Sequence, residues 1–186
     1  SNINAAIKWR NNFSANHGYV LAAGYDQYGN SLDNTVNHWE AYKYSTFVRQ
    51  AYTKLNYKSV VGDSHTLKYG LQGIMYIMSP GIKTPSFEDS AIEAKDLGFE
   101  KAVEVSAYIS DTWQPGDKFS MDYGLRFSGF SQIDRPKFYG MPELRLSAKY
   151  SILPELSIKA GVNSMRQYIP LLTNTASISP MDTWKL

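Results

Sequence analysis

This chain has no cysteine, only three histidines, and no apolar run long enough to form a membrane-spanning helix. Without cysteine, neither a disulfide framework nor a thiolate metal site can form. His17, His38 and His65 stand in a turn, a loop and a strand start, without metal-ligand spacing, and read as solvated side chains. A transmembrane helix needs roughly 18–20 consecutive apolar residues, and none are present. Net charge is +2 with no basic block, which leaves nothing for nucleic acid to bind. No glycine-rich phosphate loop sits between a strand and a helix, and no nucleophile elbow is present. The expectation is a non-enzyme without a cofactor. No signal peptide precedes Ser1-Asn2-Ile3-Asn4, so the chain reads as mature or as an internal piece of something longer.

What the chain does have is alternation. In residues 119–127, Phe119, Met121, Tyr123, Leu125 and Phe127 share one face of a strand, while Ser120, Asp122, Gly124 and Arg126 share the other. The pattern recurs about eight times, joined alternately by tight turns and long polar links, as in the wall of a membrane β-barrel. The spacing predicts strands over Asn2–Phe13, Tyr19–Tyr28, Thr46–Ser59, His65–Met78, Lys101–Trp113, a sixth from Phe119, Glu143–Ser151 and Leu156–Arg166. Tight turns are expected at Ser14–Gly18, Val61–Ser64, Gln114–Asp117 and Leu153–Glu155. Long links are expected over Gly29–Tyr44, from Pro80-Gly81 to about residue 100, and over Ser131–Pro142. A short helix or an irregular loop is expected in the second link, the helix with Ser86–Asp89 as its cap, Ile92, Ala94 and Leu97 following, and Gly98 as its stop. After Gln167 a loop runs to Pro180, and Met181–Leu186 reads as the start of another strand.

Alternation alone leaves open which face is buried, because a soluble barrel hides its apolar face inside and a membrane barrel turns it to lipid. The segregation of short and long connections favours the membrane form, with short periplasmic turns and long extracellular loops. Mean hydropathy is negative, but half of every spanning strand faces water. Aromatics make up 14% of the chain and are led by tyrosine, which suits an interfacial belt; a tyrosine-rich binding surface is the competing account. Trp9, Phe13, Tyr19, Tyr57, Trp113 and Phe119 would form that girdle at the short-turn end. Glu88, Asp89, Glu93 and Asp96 form an acidic patch, read as a solvated face or as a place for calcium or a cationic ligand.

Val105 through Trp113, with its Asp-x-Trp ending, a tight turn, and the Gly-Leu-Arg strand Met121–Phe127 together resemble the barrel of TonB-dependent outer-membrane receptors. Pro142 through Tyr150 is similar to that family's Pro-Arg-Leu-Ser-x-x-Tyr strand, departing from it at Glu143-Leu144. Ile158 through Leu172 and Ser179 through Trp184 resemble receptors of the Bacteroidetes type. The likeness spans Asn2–Trp184, specific in its second half and generic in its first. It implies an all-β fold: an antiparallel transmembrane wall of about eight strands, part of a plugged barrel of about 22. The whole of 1–186 would belong to that one barrel domain, as an internal fragment without the plug or the closing strand. The implied setting is the bacterial outer membrane. The implied partners are its lipid, TonB reached through the plug, and a surface lipoprotein. The cargo would be a siderophore, cobalamin, haem, oligosaccharide or peptide, captured by the loops. Candidate contacts are His38, Trp39, Tyr42, Tyr44, Arg135, Phe138, Tyr139, Arg166 and Gln167, since aromatics stack on sugars or rings and arginine engages anions. The alternatives are a complete eight-stranded outer-membrane barrel with a structural or adhesive role, its enzymatic counterpart, and a soluble β-barrel binding module.

Overall fold

Strands with two chemically distinct faces satisfy their backbones only by pairing, and here each pairs with the strand next in sequence. A computed structural model describes residues 2–165, 168, 171–173 and 182–184. The strands are β1 (Asn2–Asn12), β2 (His17–Asn34), β3 (Tyr42–Val61), β4 (His65–Pro85), β5 (Lys95–Asp96), β6 (Glu100–Trp113), β7 (Phe119–Gln132), β8 (Phe138–Leu153), β9 (Leu156–Asn163), β10 (Leu171–Thr173) and β11 (Asp182–Trp184). They build one nine-stranded antiparallel sheet in the order β1-β2-β3-β4-β6-β7-β8-β9, with β5 on β4, and a separate β10-β11 pair. β11 lies within the expected last strand, while β10 falls in the segment expected to be loop.

The alternation holds across the sheet. Registered rows such as Asn11–Tyr19–Tyr57–Tyr69–Ile109–Leu125–Leu144 lie on the apolar face, and Lys8–Ala22–Lys54–Gln72–Ser106–Ser128 on the polar face. The apolar face is open: Leu125 is 47% exposed, Leu146 48% and Ile158 61%. Only four apolar residues among those described are buried (Ala41, Met78, Ala102 and Phe130), so the sheet has no packed interior of its own. An exposed apolar surface of this extent marks a face that meets protein or membrane. Among the described residues β1 and β9 each pair on one side only, so strand pairing does not close the sheet into an eight-stranded barrel.

Several expected boundaries were wrong, by the most at the long-link end. β2 and β3 stay paired from Tyr28↔Val48 out to Asn34↔Tyr42, which shortens the first link to 35–41. β4 does not stop at Pro80-Gly81. The register there slips between Ser45↔Ile82 and Phe47↔Ser79, so β4 carries an extra residue and the proline sits in a bulge, where its missing N–H costs no ladder bond. Ser131–Pro142 is mostly strand, leaving only 133–137 as connection, no longer than 114–118 at the other end. The loop helix over 86–98 does not form. Its backbone amides bond sideways instead: Ser86 to the Ala41 carbonyl, Ala91 to that of Trp39, and Leu97 to that of Gly81. The eighth expected strand, β9, ends at Asn163 rather than at Arg166.

Aromatic rings meet one another at the short-turn end of the sheet. Trp9 meets Tyr19 edge-on at 5.9 Å, Tyr57 stacks on Tyr19 at 6.4 Å and on Tyr69 at 5.0 Å, and Trp113 meets Phe119 at 5.7 Å. Arg49, whose parity puts it on the apolar face, lies over the Phe47 ring at 4.3 Å.

On the polar face, Tyr108 crosses over Gly70 of β4, and its hydroxyl donates to Asn56 Oδ1 of β3 at 2.6 Å. A Cβ at Gly70 would meet the Leu55 carbonyl oxygen and the Tyr108 ring. Gly70→Ala is therefore expected to lower stability by about 1–3 kcal/mol, as overpacking does. Its denaturation midpoint in detergent micelles would show the loss, and an unchanged midpoint would refute the close approach.

Candidate functional site

Two groups of polar and aromatic side chains stand out, one in the sheet and one at its long-link end. Within the sheet, adjacent rows of the polar face place Gln72–Ser106–Ser128 beside Tyr108–Arg126–Glu143 and Glu104–Phe130–Tyr139. Arg126 sits among them. Its Nη2 donates to Ser106 Oγ at 2.8 Å and, at the long limit, to Gln72 Oε1 at 3.4 Å. Its Nε donates to Ser128 Oγ at 3.1 Å, and Glu104 lies 3.9 Å from Nη2. Ser128 in turn donates to Glu143 Oε1 at 2.9 Å, and the Tyr76 hydroxyl donates to Glu104 Oε2 at 3.3 Å. Ser106, Ser128 and Glu143 are buried.

Tyr168 covers this region from beyond β9. Its ring stacks on Phe130 at 5.2 Å and its hydroxyl donates to the Ser128 carbonyl at 2.9 Å. Sequence reasoning placed Arg126 in a family motif and missed the network around it. Strand parity was the available signal, since it puts all these residues on one face at neighbouring levels.

The expected ligand contacts fall into separate places. His38 and Trp39 lie on a single 3-10 turn, His38–Glu40, capped by the Asn37 side chain accepting from the Trp39 amide at 3.2 Å. His38 Nε2 is 3.0 Å from Asp89, and its ring packs on Phe87 at 4.1 Å. The Trp39 carbonyl accepts from the Ala91 amide at 2.8 Å, which ties 35–41 to 86–92. Both His38 and Asp89 are exposed, so their pair contributes little stability.

Tyr42 and Tyr44 belong to β3, not to a loop. Lys83 Nζ lies over the Tyr42 ring at 4.2 Å, and the Tyr44 hydroxyl donates to the Pro80 carbonyl at 2.9 Å, with its ring over Gly81. Tyr44 thereby fastens the bulge. Arg135 is exposed in the connection 133–137. Phe138 and Tyr139 open β8 on opposite faces, Phe138 opposite Ser131 and Tyr139 opposite Phe130, with Lys137 Nζ 5.3 Å from the Tyr139 ring centre. Arg166 and Gln167 lie outside the described residues.

No hydrogen bond, ion pair or ring contact joins the His38 group to the Arg135–Tyr139 group among the described residues. The acidic patch does not gather into a metal-holding group among them either: Asp89 turns to His38, and Asp96 accepts from the Gly98 amide at 2.8 Å. The exposed Trp39 and Phe138 rings offer stacking surfaces. The Arg126 network, by contrast, spends its donors inside the protein and fixes how β4, β6, β7 and β8 lie against each other. Neither a protein-family model, nor a curated protein, nor a solved structure matches this chain.

Proposed function

We propose that this chain is part of the transmembrane wall of a TonB-dependent outer-membrane receptor importing a scarce or bulky nutrient. One observation carries the reading: an antiparallel sheet whose apolar face is exposed along its length while its polar face ties up charge in hydrogen bonds. That is how a strand wall divides lipid from a wet lumen.

The strand lengths add to it. β2, β3 and β4 have 18, 20 and 21 residues, well beyond the ~9–11 that cross hydrocarbon. The excess would stand above the membrane and raise the loop cluster of His38, Trp39 and Phe87 into the external medium. The soluble-module reading needs a core that four buried apolar residues do not supply. The small-barrel reading needs a β1–β9 pairing not found among the described residues.

In this role the wall performs no bond chemistry. Loop aromatics capture the cargo and a plug inside the barrel, moved by TonB, would admit it. Deleting the coding sequence and, separately, the TonB coupling protein should abolish uptake of the same nutrient. A deletion that leaves every TonB-dependent uptake intact would sink the proposal.

Membrane placement has its own test. In single-tryptophan variants reconstituted into vesicles of acyl-brominated lipid, Trp9 and Trp113 are expected to be strongly quenched and Trp39 spared. Equal quenching of all three, or of none, would contradict the assigned depth.

A further inference from the structure

One side chain does not fit the face it occupies. Asp111 of the Asp-x-Trp ending pairs in register with Leu67 on one side and Tyr123 on the other, which puts it on the apolar face. It is 5% exposed. Oδ2 accepts from His65 Nδ1 at 2.6 Å and from the Tyr123 hydroxyl at 2.7 Å. The carboxylate only accepts, so His65 must carry its proton on Nδ1, and among the described residues no partner is found at its Nε2. Oδ1 is buried without a hydrogen-bond partner, although the Thr66 backbone amide lies close to the carboxylate. A buried, unsatisfied carboxylate oxygen is costly and calls for a donor.

The surroundings indicate what kind of donor. Asp111 and Tyr123 line the short-turn end of an apolar groove of about 520 Å³, walled by Leu67, Ile109, Leu125, Leu144 and Leu146. Beside them is the girdle, with Trp113 stacked on His65 at 6.3 Å and edge-on to Phe119. An apolar slot ending in an anionic group at the level of an aromatic belt matches an amphiphile with a cationic head. His65 and Tyr123 are both surface rings, so a headgroup reaches Oδ1 by a rotamer change rather than by opening the sheet. Among the described residues no serine hydroxyl hydrogen-bonds to His65.

We infer that Asp111, His65 and Tyr123 form a headgroup site for a phospholipid bearing a primary ammonium, with one acyl chain in the adjacent groove. The ammonium donates to Asp111 Oδ1, where a quaternary ammonium cannot. The inference rests on the membrane reading above.

Native mass spectrometry of the full chain in mild detergent, offered equimolar phosphatidylethanolamine, phosphatidylcholine and phosphatidylglycerol of identical acyl chains, tests it. The ethanolamine lipid is expected to be retained about tenfold over the other two, the value of one charge-assisted hydrogen bond. Asp111→Asn is expected to remove that preference. Equal retention of the three lipids by the unaltered chain, or an undiminished preference in Asp111→Asn, overturns the site. The headgroup contrast needs no variant, so it stands even if Asp111→Asn fails to fold. Flotation with liposomes separates the two failures. A chain that does not float sinks the membrane reading and this site together; one that floats without headgroup preference sinks the site alone.

Discussion

Replacing Arg126 with methionine is expected to destabilise the folded wall by about 2–4 kcal/mol, whereas the same change at Arg145 should fall within about 0.5 kcal/mol. The two arginines share the polar face and the same chemistry, and they differ in what surrounds the guanidinium. Arg126 is 23% exposed at its side chain and Glu104 is 16% exposed. It satisfies Ser106 and Ser128 and lies beside Glu104, while Ser128 passes the connection on to Glu143. Removing it leaves the half-buried Glu104 carboxylate without its counter-charge and the buried Ser106 hydroxyl without its donor, and the desolvation of unpaired groups dominates such losses. Arg145 is exposed, with no ion pair or side-chain hydrogen bond among the described residues. Denaturant midpoints in micelles give both numbers. A double change, Arg126→Met with Glu104→Gln, should recover part of the loss, because it removes the stranded charge along with its partner. If Arg126→Met unfolds at the same midpoint as the unaltered chain, the network carries no stability and the sheet is held by its ladders alone.

How much of this was legible in the sequence follows the physics of each segment. β6, the turn at Gln114–Asp117 and the start of β7 could be read within a residue or so, because there one face is apolar, the other polar, and proline and glycine mark the bend. The outer ends of β2, β3 and β4 could not. Gly29-Asn30-Ser31-Leu32-Asp33-Asn34 is polar on both faces, so no burial signal exists and only pairing with β3 keeps it extended. Pro80-Gly81 looks like a stop in one dimension. Only the partner strand, one residue shorter across the same interval, shows it to be a bulge. Ser86–Leu97 carries a cap and apolar spacing suited to a helix, yet its amides find acceptors on the 39–41 segment and on β4 first. Tertiary partners override local preference in such short stretches.

The candidate site divides in the same way. Exposed loop aromatics such as Trp39 can be guessed from composition and position. The Arg126 network joins residues up to 54 positions apart and exists only once the register is known. The Asp111 site was in view as a family motif, but its chemistry depends on His65 and Tyr123, which reach it across two different strand pairs.

Leu125→Arg provides the sharpest discrimination, because the size of its effect depends on what lies outside the apolar face. Leu125 stands six residues beyond Phe119, which the proposed membrane reading puts at the short-turn interface. Six residues rise about 20 Å along a strand, or about 14 Å along the membrane normal at a tilt of ~45°, close to the middle of a hydrophobic band about 25 Å tall. Arginine there is expected to cost about 2–4 kcal/mol in a bilayer, falling to about 0–1 near the interface. Leu156, on the same face beside the turn that opens β9, is the matched control. In water the ordering vanishes: Leu125 is 47% exposed, and a solvated leucine accepts arginine within about 0.5 kcal/mol. Folding equilibria in vesicles should therefore show Leu125→Arg several-fold more damaging than Leu156→Arg. Equal, negligible effects would mean that water or another protein chain, rather than hydrocarbon, covers this face, and the transporter reading would fall with that result.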